Sequence, residues 1–391
     1  MHVKLEGRLP FMRSIYLDHA ATTPLDPQVN KVMYEHAEKI YGNPSSVHGF
    51  GREARKHIDE ARKILARSIQ ARDTEIVFTS SGTEAINYAL QGIAQSQANK
   101  GKHVITSNQE HQATLHTMEY LESIGYDVSY VQTDETGRMN PKDVEKYITD
   151  ETILVSIMMV NNETGVIQPI QEIGSICADE NIYFHTDAVQ AFGPLDIDVD
   201  TLKVDLLTIS AHKVNGPKGV GALFIKEGTT IDSILFGGDQ ERKRRAGTEN
   251  VIGIVGFGQA VKQLEKNREE AQHNYATCKE TFLTALRKEN VSFHINGDAA
   301  EQIDGTVNVS FPGTQTESML MNMDLEGIAA SSGSACTAGT VEDSHVLTAM
   351  YGSESDRVKN SIRFSFGRGN TPEEMKEAAS RMAAIIERIT N

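Results

Sequence analysis

The sequence has little of several features that mark particular protein classes. Its 391 residues include no tryptophan and three cysteines, and no apolar run approaches the ~20 residues that cross a bilayer. Three cysteines without a CxxC pair exclude a disulfide framework and indicate a reducing compartment, the cytoplasm. Lys and Arg total 38 against 54 Asp and Glu, and the net charge of -16 disfavours direct nucleic-acid binding. These features exclude membrane-spanning, fibrous, disulfide-stapled and disordered proteins.

Short apolar segments alternate with amphipathic helical segments, such as 84–94 and 169–179, through the first two thirds of the chain. Several of these segments are apolar on both faces, as strands covered by helices are. The alternation therefore predicts an α/β domain with a mostly parallel sheet. The predicted strands are residues 75–79, 103–106, 128–132, 153–160, 182–185, 206–209 and 220–225.

The pattern changes after residue 255 and predicts a second, smaller α+β domain. It has a long helix at 256–288, a helix near 317–323, and a last helix after Thr371 and Pro372, which suit a cap and a first turn. Its predicted strands are residues 291–295, 306–311 and 362–366.

We divide the chain into four parts on this basis. Residues 1–11 match nothing that follows and are interpreted as a leader or a cloning remnant. Residues 12–27 are expected to pack with the small domain, 28–255 to form the large domain, and 256–391 to form the small domain. No Pro/Gly-rich linker separates the two domains, so we expect them to pack closely.

Polar residues follow most of the predicted strands, at the edge where open α/β sheets bind ligands. Residues 80–83 are small and precede a helix, which suits a phosphate cradle, although an ordinary helix cap explains them equally well. Four other strand ends together are harder to explain as caps: residues 107–111, 161–165, 186–190 and 210–213.

Lys213 is the most informative of these residues. It follows an apolar strand, and loss of hydration there lowers the pKa of a lysine and makes its amine a nucleophile suited to Schiff-base chemistry. Asp187 lies 26 residues upstream on a strand that suits a neighbouring position, and an aspartate keeps a pyridine nitrogen protonated. The alternative is a solvated loop lysine.

The three cysteines differ in their surroundings. Cys278 and Cys177 each belong to an apolar stripe at helical spacing, which predicts two buried side chains. Cys336 is flanked by Ser, Gly, Ala and Thr without such a stripe, which favours an exposed loop and a reactive thiolate over an incidental cysteine. No zinc, EF-hand or P-loop spacing is present in the sequence, so no resident metal is expected.

Four separated segments resemble those of the NifS/IscS-type cysteine desulfurases of the first group. These are YLDHAATTP at 16–24, GNPSSVH at 42–48, SAHKVNGPKG at 210–219 and SSGSAC at 331–336. The resemblance extends from Ile15 to the C-terminus. It implies a class V aminotransferase-fold enzyme of fold type I, similar to aspartate aminotransferase, that uses pyridoxal 5'-phosphate.

The resemblance also implies residue roles at the cofactor. Lys213 would form the Schiff base, Asp187 would pair with the pyridine nitrogen, Gln190 would bind the phenolic oxygen, and His111 would stack on the ring and handle protons. Thr248, in RAGT at 245–248, would bind the phosphate of the second subunit in a homodimer. The phosphate ligands within the subunit would be Gly82, Thr83, Ser210 and His212.

The implied reaction converts L-cysteine to L-alanine. Asn162 would orient the substrate, Arg363 would clamp its carboxylate as a planar fork, and Cys336 would receive the sulfur as a persulfide and act as an iron–sulfur ligand only transiently. The sulfur would pass to an iron–sulfur scaffold protein or to an enzyme that thiolates tRNA or a cofactor. Two alternatives stay open: a selenocysteine lyase or other β-eliminating relative, and a non-enzymatic sulfur-relay scaffold.

Overall fold

The computed structural model describes residues 14–333, 336–337 and 340–390. The strands are β1 (Ile15–Tyr16), β2 (Ile76–Thr79), β3 (His103–Ser107), β4 (Asp127–Val131), β5 (Thr152–Ser156), β6 (Tyr183–Asp187), β7 (Leu206–Ser210), β8 (Gly221–Ile225), β9 (His294–Asn296), β10 (Thr306–Ser310), β11 (Ile328–Ala329), β12 (Cys336–Thr337), β13 (Thr340–Val341) and β14 (Ser361–Ser365). The helices are α1 (Pro27–Lys39), α2 (Gly49–Ser68), α3 (Gly82–Gln97), α4 (Gln112–Ser123), α5 (Pro141–Tyr147), α6 (Ile170–Asp179), α7 (Val199–Leu202), α8 (Val251–Lys288), α9 (Thr316–Leu325), α10 (His345–Tyr351), α11 (Asp356–Lys359) and α12 (Pro372–Thr390).

A seven-stranded sheet forms the centre of the larger part, in the order β2-β8-β7-β6-β5-β3-β4. Strand β8 runs antiparallel to both of its neighbours, and the remaining pairs are parallel. Every residue of β3, β5 and β7 is buried, because helices cover both faces of the sheet. The prediction of an α/β fold with a mostly parallel sheet is confirmed.

Alternate residues of each strand enter two separate apolar cores. In β5, for example, Leu154 packs with α3 and α4, whereas Val155 packs with α2, α6 and the first part of α8. This separation follows from the two-residue period of a strand, which directs neighbouring side chains to opposite faces. The helix layers leave the carboxyl edge of the parallel strands open.

The smaller part has its own sheet, β14-β10-β9, with antiparallel pairing. Helices α8 and α12 cover this sheet and share a third core with it. Thr371 caps α12 as its sequence predicts, since Oγ1 accepts a hydrogen bond from Glu374 N at 3.2 Å. Strand β1 pairs with β11 and thereby attaches the N-terminal segment to the smaller part.

Some predicted boundaries differ from the structure. The strand predicted at 153–160 ends at Ser156, and the one predicted at 291–295 covers only His294–Asn296. The proposed domain boundary at 255 falls inside α8, which contributes side chains to cores on both sides of it. Residues 1–11 lie outside the described part of the chain, as does the thiol of Cys336. Within that part, no helix is long and apolar enough to span a bilayer.

Candidate active site

A cavity of about 220 Å³ lies where the carboxyl ends of β5, β6 and β7 meet the N-terminus of α3. Most of the residues predicted for cofactor binding line it, although they are spread over 131 positions of the chain, from 82 to 213. The parallel strands bring them together, because their ends share one edge. The predicted residues in the lining are Gly82, Thr83, His111, Asn162, Asp187, Gln190, Ser210, His212 and Lys213.

Lys213 provides the amine of this cavity. It follows β7 in a short 3-10 turn, and its Nζ donates hydrogen bonds to the carbonyls of Ala20 and Ala21, the latter at 3.0 Å. Burial, aided by the charge of Arg363, lowers the pKa of Lys213 to about 8. About a tenth of the amine is therefore unprotonated at pH 7, far more than at the usual lysine pKa, and this free amine can attack a carbonyl group.

Asp187 ends β6, the strand next to β7, as its predicted proximity to Lys213 requires. Its carboxyl is buried, and the desolvation raises its pKa to about 6, although the backbone N–H of Val189 and the charge of Lys213 oppose the rise. An N–H donor that enters the cavity would stabilise this buried carboxyl by a hydrogen bond. Gln190 lies three residues after Asp187 in the chain, and its Nε2 donates a hydrogen bond to Ala20 O at 2.9 Å.

His111 caps the N-terminus of α4, and its Nδ1 accepts the backbone N–H of Ala113 at 3.0 Å. Burial lowers the pKa of His111 to about 4, and the nearby charge of Lys213 acts in the same direction. The ring is therefore neutral and holds its proton on Nε2, because Nδ1 serves as an acceptor. A neutral imidazole in this place can both give and take a proton.

The end of the cavity near α3 fits a phosphate group. Ser210 Oγ is buried without a hydrogen-bond partner among the described residues, and the N-terminus of α3 begins at Gly82. A Cβ at Gly82 would lie 3.1 Å from Cγ2 of Val189, so a larger residue would crowd this end. An unpaired hydroxyl beside free helix N–H groups is an arrangement that binds anions.

Arg363 approaches from β14 of the smaller part. Its Nη1 donates to Asn162 O at 3.0 Å, and its Nη2 donates to Asp18 Oδ1 and Ser331 Oγ, both at 2.8 Å. Its Nε is buried without a partner among the described residues. The guanidinium is therefore fixed beside Asn162, a residue of the cavity lining, and keeps an unused donor, which suits recognition of a carboxylate.

Among the predicted cofactor-binding residues that the structure describes, Thr248 does not line this cavity. Thr248 is exposed and lines a separate depression with Arg245 and Gly247. The backbone of Cys336 pairs with Val341 in the β12–β13 hairpin, but its thiol lies outside the description. Cys177 and Cys278 are buried, as their apolar stripes predict, and burial raises the pKa of both thiols.

Three acidic residues at the site were not identified from the sequence. Asp18 pairs with Arg363, and Glu110 and Glu163 are fully buried beside His111 and Asn162. Asp18 stands within the 16–24 segment, and the other two follow strands, which was the only signal available for them. Their partners lie up to 345 positions away, and no local pattern shows such contacts.

Comparison with known proteins identifies the family. Residues 15–377 match the family described as aminotransferase class-V. A Bacillus subtilis protein with the name IscS 1 is 51% identical over 97% of this chain and 100% of its own length. The cysteine desulfurase IscS of Dictyoglomus turgidum is 43% identical over 96% of this chain and 95% of its own. A solved structure of a NifS-like protein superposes with a TM-score of 0.90 at 34% identity, over 96% of this chain and all of that one.

The chain belongs to the class-V aminotransferase family, and within it to the cysteine desulfurases of the IscS and NifS type. Enzymes of this family depend on pyridoxal 5'-phosphate. The cavity fits that group, since it offers the Lys213 amine to the aldehyde, a buried carboxyl at Asp187 to the pyridine nitrogen, and the unpaired Ser210 hydroxyl to the phosphate.

Proposed function

We propose that the chain converts L-cysteine to L-alanine and transfers the substrate sulfur to Cys336. One observation carries this proposal: Lys213, Asp187 and His111 line a single cavity, and Arg363 donates a hydrogen bond to the carbonyl of Asn162, another lining residue. The names of the relatives support the same substrate. The roles of the individual residues in binding and sulfur transfer are proposed together with this reaction.

Substrate binding starts at the carboxylate. Arg363 holds it as a planar fork, and the neighbouring Asn162 fixes the orientation of the amino acid. When bound, pyridoxal phosphate supplies an electron sink that stabilises negative charge at the substrate α-carbon. The amine of Lys213 removes the α-proton, because its lowered pKa keeps it available as a base.

Sulfur transfer breaks one bond and forms another. The Cys336 thiolate attacks the substrate sulfur, and a sulfur–sulfur bond forms on Cys336. The carbon–sulfur bond breaks with its electron pair left on the substrate β-carbon, which takes up a proton to give the methyl group of L-alanine. His111 donates a proton to the substrate sulfur or accepts one from it, since its neutral ring carries a proton on Nε2. The atoms balance without a further oxidant or reductant: L-cysteine and a thiol give L-alanine and a persulfide.

We also propose that two protomers associate and that a protein accepts the persulfide sulfur. Exposed aromatic side chains at Tyr34, Tyr41, Phe50 and Phe236 support an apolar interface, since 59–86% of each is accessible in the single chain. Thr248 is exposed, and a residue that binds the phosphate in the second subunit must be exposed in the single chain. The acceptor is proposed to be an iron–sulfur scaffold or a thiolating enzyme in the cytoplasm, where the reducing environment keeps Cys336 a free thiol before it receives sulfur.

The reaction is tested with purified protein loaded with pyridoxal phosphate. We expect L-cysteine to yield L-alanine in the wild type, whereas Lys213→Ala yields none and lacks the visible absorbance of lysine-bound cofactor. Lys218→Ala is a matched control, because Lys218 follows in the same segment but is exposed. Absence of alanine from the loaded wild type would exclude the proposed activity.

A further inference from the structure

Glu163 is a buried carboxyl that the reaction described above does not use. It lies in the turn after β5, next to Asn162, and is 1% exposed. Asn161 Oδ1 accepts hydrogen bonds from the backbone N–H groups of Glu163 and Thr164, both at 2.9 Å. The turn is therefore fixed, with Asn162 at the cavity and the side chain of Glu163 against the smaller part of the protein.

The Glu163 carboxyl contacts both ends of the segment that contains Cys336. Its Oε2 accepts a hydrogen bond from Ser344 Oγ at 2.5 Å. On the other side, a Cβ at Gly333 would lie 2.8 Å from Glu163 Cγ and 2.9 Å from Oε2. Gly333 also has a φ of +95°, which a glycine adopts without strain. One side chain thus spans the two ends of residues 334–343.

The C-terminal end of this segment has a second attachment to the large domain. Nε2 of His345 lies 2.9 Å from Glu110 O, and this places its N–H toward the residue before His111. Ser344 also caps α10, because its Oγ accepts the backbone N–H of Leu347 at 3.0 Å. The segment ends are therefore held by Glu110 and Glu163, the chain neighbours of the cavity residues His111 and Asn162.

Burying the carboxyl of Glu163 costs desolvation free energy, which a residue that serves packing alone would not require. Desolvation raises the pKa of Glu163, and the Ser344 hydroxyl with the nearby His345 and Arg363 opposes that rise. A neutral apolar residue would avoid the desolvation of an acid, but it could not accept the Ser344 hydroxyl. The contacts of the Glu163 carboxyl therefore indicate that it holds the two ends of the segment.

We propose that Glu163 is a positioning residue that fixes the spacing of the two ends of residues 334–343, and thereby the presentation of Cys336 to the substrate. This inference rests on the proposed function, in which Cys336 receives the sulfur. In this positioning role, Glu163 does not touch the reacting atoms. It links the strand end that carries Asn162 to the segment that carries the thiol.

The first readout is the alkylation rate of Cys336 by iodoacetamide in cofactor-loaded protein without substrate. Loss of one anchoring hydrogen bond, about 1 kcal/mol, corresponds to about fivefold, so Glu163→Ala and Glu163→Asp are expected to react at least about fivefold faster. Glu163→Gln is expected to stay within about twofold of the wild type, because its amide oxygen still accepts the Ser344 hydroxyl. Mass spectrometry distinguishes Cys336 from the buried Cys177 and Cys278.

The second readout separates positioning from a general loss of structure. Glu163→Asp should bind L-cysteine with nearly wild-type affinity, as measured by the change in cofactor absorbance, while kcat for alanine formation falls. Glu75→Gln is the matched control, because Glu75 is also buried but its carboxyl accepts hydrogen bonds, among the residues that the structure describes, from Arg72 and Glu227 alone. This variant should leave both the alkylation rate and kcat unchanged.

Unchanged alkylation of Cys336 in both Glu163→Ala and Glu163→Asp would overturn the inference. If Glu163→Ala does not fold, Glu163→Asp decides, since it keeps the charge and only withdraws the carboxyl. Failure of the proposed function gives a different result: the wild type itself would form no alanine from L-cysteine. The alkylation comparison would still report on Glu163 in that case.

Discussion

Nη2 of Arg363 and Oδ1 of Asp18 lie 2.8 Å apart and join β14 to the N-terminal segment at the wall of the cavity. Only 5% of the arginine side chain and 20% of the aspartate are exposed. The pair therefore fixes the guanidinium in a partly desolvated place, beside Asn162 of the cavity lining. Asp18 acts as a positioning residue for Arg363.

Replacing Asp18 tests this relationship. In Asp18→Asn the guanidinium keeps a hydrogen-bond acceptor but loses its counter-charge, and we expect the free energy of unfolding to fall by about 1–3 kcal/mol. The KM for L-cysteine should rise, because the fork that receives the carboxylate is less well oriented, and kcat should change less. Steady-state kinetics and urea unfolding measure the two effects. A lowered KM would show instead that Asp18 competes with the substrate.

The pKa of Lys213 predicts how cofactor capture depends on pH. The unprotonated amine is the nucleophile, and its pKa is lowered to about 8. The rate at which the cofactor-free protein gains visible absorbance after addition of pyridoxal phosphate should therefore rise with pH and level off above about 8. Stopped-flow absorbance between pH 6 and 10 measures the profile. A rate that still rises steeply at pH 10 would contradict a desolvated amine.

Glu110 predicts a pH dependence of stability. Burial raises the pKa of its carboxyl from 4.5 to about 8, so the folded chain keeps a proton that the unfolded chain releases. Stability from this group is fully present below pH 4.5 and is lost as pH rises toward 8, because the folded state then binds more protons than the unfolded state.

Glu110→Gln removes this dependence. Relative to the wild type, the variant should gain at least about 1 kcal/mol between pH 5 and pH 8, since one pKa unit corresponds to about 1.4 kcal/mol. Denaturant unfolding at the two pH values gives the comparison, and Glu75→Gln is again the buried control. An equal difference between wild type and Glu110→Gln at both pH values would count against a protonated Glu110.

The buried pair of Arg62 and Glu241 predicts a large loss of stability. Two hydrogen bonds of 2.6 and 2.7 Å join the two side chains, and both are almost completely buried. Glu241→Ala leaves the Arg62 charge buried without its partner, and such a change typically costs about 3–5 kcal/mol. Glu227→Gln is the control, since its pair with Arg72 is exposed and should leave the unfolding midpoint nearly unchanged.

The same substitution should also weaken the proposed dimer. Glu241, Arg242 and Lys243 have φ values of 45°, 58° and 67°, a left-handed stretch that non-glycine residues adopt only when their surroundings hold them. Thr248 follows this stretch within five residues. Analytical ultracentrifugation of Glu241→Ala is expected to show more monomer than the wild type at equal concentration.

The sequence predicted the parallel sheet and most of the cavity, because both depend on local patterns. Residues 153–160 show the limit of such patterns: seven of the eight residues are apolar, and the strand ends at the one polar residue, Ser156. Beyond it, Ile157 N and Met159 N still donate to the carbonyls of His185 and Asp187, outside a regular ladder. An apolar run indicates burial and does not distinguish a strand from a buried irregular segment.

Contacts between distant parts of the chain could not be predicted. Asp18 and Arg363 are 345 positions apart, and Glu163 and Ser344 are 181 apart. Their proximity depends on how the smaller part packs against the sheet edge, and no periodicity in the sequence reports on that. The strand predicted at 220–225 is present as β8, but its antiparallel direction was not predicted, since its apolar residues suit either direction within a buried sheet.

In the proposed reaction, the substrate sulfur moves onto Cys336. The most direct measurement uses cofactor-loaded protein, L-cysteine with isotopically labelled sulfur and no acceptor, followed by mass spectrometry of the cysteine-containing peptides. We expect one labelled sulfur on the Cys336 peptide for each L-alanine formed, none on Cys177 or Cys278, and loss of the label in Cys336→Ser. Alanine formation at the wild-type rate by Cys336→Ser, or label confined to free sulfide, would contradict it.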